Sequence, residues 1–243
     1  MNRLALLFAA AALGVAPVAA QTSTKPYVPS YGFDHLVPIP SAFDTAYWDD
    51  DYPKIVGTVF KEAFGKGVHA RVYVTAAGPG PTVSDMIFLK ERDSEYRIVY
   101  LHTAVPLWMY RAGLKEANRK MHFPLDPLDY HDIVPTRCDI SVPASLGVRI
   151  VDVWKKVLLE TRYESKRARG ADGADYIFSM ETQYDDFQST RTLAGTTWSP
   201  DEQSKPGRLA EIAYTMQLLC QHDPDASLRK LDSEVQQLSK RFN

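Results

Sequence analysis

Two cysteines, Cys138 and Cys220, set the tightest constraint on how this chain folds, because no others are present to pair with either. Their meaning depends on the compartment, and the N-terminus supplies one. Arg3 gives a short positive start, Leu4 to Val15 form an apolar run without charge, and Val18-Ala19-Ala20 places small side chains before Gln21. That order is the pattern of a secretory signal peptide over residues 1–20. The apolar run is too short for a membrane span and no stop-transfer pattern follows, so no membrane anchor is expected after cleavage. An isolated cysteine pair in an oxidising compartment reads as one disulfide, the other option being two buried thiols. Closing a loop of about 80 residues would contribute roughly 4 kcal/mol in the chain-entropy picture. The sequence therefore predicts a periplasmic or secreted protein whose fold brings residue 138 to residue 220.

Charge narrows the partners. The chain carries 28 Lys and Arg against 30 Asp and Glu, a net of −2, and becomes one unit more acidic once Arg3 is removed. Nucleic acid and anionic membrane surfaces reward clustered positive charge, so neither is expected as a partner. The one basic cluster, Lys166-Arg167-Ala168-Arg169, reads as a solvated loop after a helix.

The pattern along the chain divides it into the signal, an irregular leader over 21–51, and one α+β domain over 52–243. Tyr27, Tyr31, Phe33, Tyr47 and Trp48 are available to pin the leader to a core. Ile55, Val56, Val59, Phe60, Ala63 and Phe64 fall on one helix face, with Pro53 in the first turn. His69 to Ala76, Met86 to Leu89 and Tyr96 to Leu101 read as a three-strand antiparallel meander. Val105 to Asn118 is open between a helix and a strand running into one, and 122–137 reads as a long loop. A strong helix is predicted over Ala144 to Tyr163, where Leu146, Ile150, Val153, Trp154 and Val157 are apolar. Tyr176 to Phe178 and Thr190 to Trp198 suggest a second strand pair. Two C-terminal helices follow, the first marked by Leu209, Ile212, Ala213, Met216 and Leu219. The second is marked by Leu228, Leu231, Val235, Leu238 and Phe242, with Asp225 or Ser227 as its cap. The expected fold is small antiparallel sheets packed with amphipathic helices.

Reactive side chains are densest between Met121 and Asp132. His122 and His131 with Asp126, Asp129 and Asp132 are residue types suited to general-base work or metal binding. Their spacing matches no compact metal motif, and proline turns with local aspartate hydrogen bonds account for the same residues. No metal or other cofactor is therefore assigned. Gly-x-Ser-x-Gly, phosphate-binding loops and dinucleotide fingerprints are absent from the sequence, and Ser165-Lys166 and Ser204-Lys205 are adjacent pairs rather than Ser-x-x-Lys. His69 and His102 fall in or beside strands and read as satisfied structural histidines. Trp48 and Trp198 lie in polar, turn-like surroundings and are the aromatic candidates for a binding face.

Three segments carry a resemblance. Trp154 to Arg162 reads Trp-x-x-x-Leu-Leu-x-Thr-Arg, Asp172 to Phe178 reads Asp-Gly-Ala-Asp-Tyr-Ile-Phe, and Ala194 to Pro200 ends in Trp-Ser-Pro. Together they resemble a type of exported proteobacterial protein of uncharacterised function, over roughly residues 138–220. The resemblance implies a shared fold and an exported life, and it brings no catalytic residues. The function expected from the residues is non-enzymatic binding of a protein partner in the cell envelope, in the manner of an immunity or inhibitor protein. The alternative is a secreted hydrolase using the His/Asp loop, with or without a metal. Glycan binding through Trp48 and Trp198 is a third option.

Overall fold

The computed structural model describes residues 34–39, 51–77, 84–111, 129–163, 173–184, 189–221 and 223–242. Strands β2 (Val68–Ala77), β3 (Ser84–Arg92) and β4 (Glu95–Thr103) form the expected meander. β3 and β4 run further than their apolar cores predict. Asp93 and Ser94 both take positive φ, 53° and 67°. A two-residue turn of that hand matches the twist of the strands it joins. It pulls the charged stretch Lys90–Glu95 into the ladder, with Lys90 opposite Arg97 and Arg92 opposite Glu95. Helix α1 (Tyr52–Val59) precedes the meander and continues as a 3-10 turn, Lys61–Phe64. Another 3-10 turn, Leu107–Tyr110, follows β4.

β5 (Thr136–Val142) pairs with β4 and begins inside the stretch read as loop. Its alternation of Cys138, Ile140 and Val142 with Arg137, Asp139 and Ser141 has the period of a strand. Pro135 and Pro143 bracket it so closely that the signal is short. The second strand pair is β6 (Gly173–Tyr184) and β7 (Ser189–Trp198). β6 also pairs with β2, which corrects the expectation of small sheets. The strands form one seven-stranded antiparallel sheet in the order β1-β7-β6-β2-β3-β4-β5. β1 (Val37–Pro38) adds to β7 from within the leader, where Leu36 and Ile39 are buried.

Helices cover both sheet faces, so Met86–Leu89 is apolar without alternating, as strands buried on both sides are. Ile87, Leu89, Ile98 and Phe178 face α2 (Ala144–Leu159), α3 (Lys205–Leu218) and α4 (Pro224–Ser239). Trp154 of α2 meets Phe178 edge-on at 5.4 Å and is fully buried. A ring of this size is worth about 3–5 kcal/mol to a core. α2 sits close to β4 because residue 147 is glycine: a Cβ there would lie 2.2 Å from the Tyr96 ring. Met86, Phe88, Val99 and Leu101 face α1 and the 3-10 turns. The cap of α4 is Asp223, whose carboxylate accepts from the Asp225 N–H, in place of the expected Asp225 or Ser227.

β5 is an edge strand, and charge guards it. Arg137 donates twice to Glu62, at 2.9 and 3.0 Å, and once to Asp139 at 2.7 Å. Arg97 donates to Asp139 at 2.5 Å and to Ser141 at 3.2 Å. Such a ladder disfavours addition of a foreign strand. On the other side of β5, Cys138 is bonded to Cys220, just past α3, with 5.9 Å between the Cα atoms. The expected disulfide is present. Among the described residues no helix is long and apolar enough to cross a membrane.

Replacing both cysteines by serine is expected to lower unfolding stability by about 4 kcal/mol, given the separation of 82 residues, read from the urea midpoint. Acid should also weaken the fold. Hydrogen bonds from Arg137 hold the Glu62 carboxyl below its ordinary value of 4.5. A depressed folded-state pKa contributes stability that is present above the unfolded value and lost as pH falls through the folded one. Melting temperature is therefore expected to drop as pH falls below 4.5, and Arg137→Ala is expected to flatten that drop.

Candidate functional site

The loop residues separate. His122 and Asp126 lie outside the described residues, as does Trp48. Asp129 and His131 come together within one turn: the Asp129 carboxylate accepts from the His131 backbone N–H at 3.0 Å and meets its Nδ1 at 2.7 Å. That closes the 3-10 turn Tyr130–Asp132, where the Tyr130 and His131 rings stack at 4.1 Å. Both partners are more than half exposed. The pair shapes a surface turn, and Asp132 belongs to the same turn. Among the described residues no group of three or more His, Cys, Asp or Glu is arranged to hold a metal. Trp198, half-buried at the end of β7, lies over Gly173, where an added Cβ would sit 2.6 Å from the indole.

A second imidazole–carboxylate pair escaped assignment because its members are distant in sequence. His102 Nδ1 meets Asp85 Oδ1 at 2.7 Å, across the β3–β4 ladder. Asp85 is nearly buried, its side chain 9% exposed, while that of His102 is 31% exposed. The Tyr100 hydroxyl donates to the same oxygen at 3.1 Å and accepts from Gln217 of α3 at 3.0 Å. Burial and the adjacent Asp85 raise the Tyr100 pKa, so this hydroxyl stays a proton donor. The carboxylate holds the imidazole through Nδ1, the contact that orients a general base. No hydroxyl or thiol among the described residues hydrogen-bonds the His102 Nε2.

A concave surface runs along α3. Its N-terminus is braced: the Ser204 hydroxyl accepts from the Gly207 N–H at 3.0 Å and donates to the Asp201 carbonyl at 2.7 Å. Gly207 lets that turn lie against the helix, since a Cβ would fall 1.9 Å from the Asp201 carbonyl oxygen. Upstream, Ser199 at φ 37° clamps the start of β6. Its N–H donates to the Ala174 carbonyl at 2.9 Å, and its hydroxyl accepts from the Ala174 N–H at 3.1 Å. Ser199 thus ties the Trp-Ser-Pro segment to Ala174 at the start of β6, and Ser199 and Pro200 line part of the site.

α3 buries Leu209, Ile212, Ala213 and Met216, which turns Arg208, Glu211 and Tyr214 away from the sheet. Opposite them α4 presents Lys230 and Glu234. Between the two helices lies a cleft of about 620 Å³. Lys230 spans it, 2.9 Å from Glu211 and 3.4 Å from Glu234, with its ammonium 5.9 Å from the Tyr214 ring centre. The hydrogen bond to Glu211 raises the Lys230 pKa, and burial raises that of Glu234. A smaller recess of about 230 Å³ shares Glu202, Gly207 and Glu211 with the cleft and continues between Tyr176, Tyr214 and Pro200.

Compared with known proteins, the chain matches no protein family, no curated protein and no solved structure. The site therefore rests on its own geometry. The spacing of the apolar residues on α3 identified which face is buried, and so which residues point outward. Nothing in the spacing placed α4 beside them.

Gly207→Ala is expected to lower stability by about 1–3 kcal/mol, because the 201–204 turn must move off the helix. Ser204→Ala is expected to cost about 1 kcal/mol through loss of the cap. Denaturant midpoints of the two variants check both values.

Proposed function

We propose that this is an exported protein of the periplasm or extracellular space that binds a protein partner in the envelope without catalysis, and that the α3–α4 cleft receives the partner. The observation that carries the reading is the character of the cleft. Small-molecule sites are mostly apolar with a few polar groups. This cleft is walled by charged side chains already held in place by one another, with a half-exposed tyrosine at the rim. Charges fixed before binding cost less ordering on association and give register to a polar chain segment. The disulfide and the signal pattern at residues 1–20 support the location.

Hydrolysis is the second reading, and the Asp85–His102 pair is the observation in its favour. A base without a bonded nucleophile would have to act on water.

One experiment separates them. Mature protein, Tyr214→Ala at the rim of the cleft, and Lys155→Glu on the exposed side of α2 are each immobilised and exposed to envelope extract. The expected result is one stoichiometric partner retained by the first and third and lost by Tyr214→Ala. Equal retention by all three moves recognition away from the cleft. Turnover of ester or amide substrates that disappears in His102→Gln establishes hydrolysis instead.

A further inference from the structure

The recess beside the cleft has a chemistry of its own. Two tyrosines and a proline line it together with Glu202 and Glu211. Glu211 is already engaged by Lys230. Glu202 is exposed and makes no ion pair with any described residue. The Tyr176 hydroxyl likewise has no hydrogen-bond partner among the described residues, although the ring is largely buried and stacks on Phe178 at 6.0 Å. An acceptor carboxylate, an unengaged phenol oxygen and aromatic walls are the groups that a cation with N–H donors satisfies together. The protein displays the same solution on the wall the recess shares with the cleft, where the Lys230 ammonium rests on Glu211 and Glu234 near the Tyr214 face.

We infer that this recess is a specificity pocket for a lysine or arginine side chain of the partner, seated between Tyr176 and Tyr214 with its charge on Glu202. The inference rests on the binding reading given above and names the chemistry of what is bound. An anionic or purely apolar side chain would leave Glu202 and the Tyr176 hydroxyl without partners, and an anion would be repelled by both glutamates.

The test uses the mature protein, isotope-labelled for NMR, with the blocked tripeptides Gly-Lys-Gly and Gly-Arg-Gly. The norleucine and glutamate counterparts serve as controls. Saturable shifts of amides around Tyr176, Pro200–Glu202 and Tyr214 are expected with the lysine or arginine peptide and not with the controls. Glu202→Gln and Tyr214→Ala, both on exposed side chains, are each expected to weaken binding about fivefold with the melting temperature unchanged. Equal shifts from norleucine, or shifts indifferent to both substitutions, overturn the inference. Its failure is distinct from failure of the binding reading. A partner captured through the cleft while the basic peptides stay silent removes the pocket and leaves the binding protein.

Discussion

Val72 lies between Ile87 of β3 and Phe178 of β6, in the middle of the sheet, and there the N-terminal meander and the C-terminal hairpin become one structure. The joint is stapled by a buried arginine. Arg71 of β2 donates to Ser179 of β6 at 2.9 Å, across a separation of 108 residues, and to the Ala63 carbonyl at 3.1 Å. It reaches Glu181 at 3.5 Å and lies 4.8 Å from the Phe64 ring centre. Burial lowers its pKa, but a guanidinium stays charged in a protein, so the partners must remain in place. Removing Ser179 or Glu181 would leave the buried guanidinium short of a partner, which is costly for a charge taken out of water. Ladder and arginine together fix where β6 lies; α2 packs on β6 and β7, and α3 rests on β3 and β4 of the same sheet.

From that sheet the cleft follows by steps. The apolar face of α3 is drawn onto the sheet, and Cys220 is tied to β5 on the far side. Tyr100, Asp85 and His102 form a polar cluster beside that tie, reached from α3 by Gln217. Helix position is thus set at both ends, by the Ser204 cap and by the disulfide. Tyr214 and Glu211 have one direction left in which to point. α4 then packs back on α3 through Leu231, Val235 and Leu238, bringing Lys230 opposite Glu211.

Much of this was legible in the residues, for identifiable reasons. α2 declares itself by the period of its apolar stripe, and β2 to β4 by short alternating or continuous apolar runs set apart by turn and charged residues. The disulfide was legible because the export pattern gave two lone cysteines an oxidising context. Lost to the sequence were features whose cause is non-local. β5 is too short between its prolines to show its period, and the β2–β6 pairing is a meeting of strands that nothing nearby announces. The Asp93–Ser94 turn was hidden because its residues are neither glycine nor asparagine. The chemistry-bearing groups followed the same rule: Asp129 and His131, close in sequence, made only a turn, whereas Asp85 with His102 and Glu211 with Lys230 were assembled by the fold.

Two imidazole–carboxylate pairs, those of His131 and His102, show why proximity is a poor guide to function here. In the surface turn the carboxylate also caps a backbone N–H, so its geometry is fully explained by local hydrogen bonding. Around Asp85 one oxygen accepts from both a histidine and a tyrosine, and the tyrosine passes the contact on to α3. A carboxylate in that position earns its place by joining sheet to helix even if no proton is ever transferred. The α3–α4 cleft differs from both. Its Lys230–Glu211 pair bridges two helices that already pack through apolar contacts, and an exposed pair of this kind contributes little to stability. Groups that hold little together yet line a concavity are better explained by what they meet from outside.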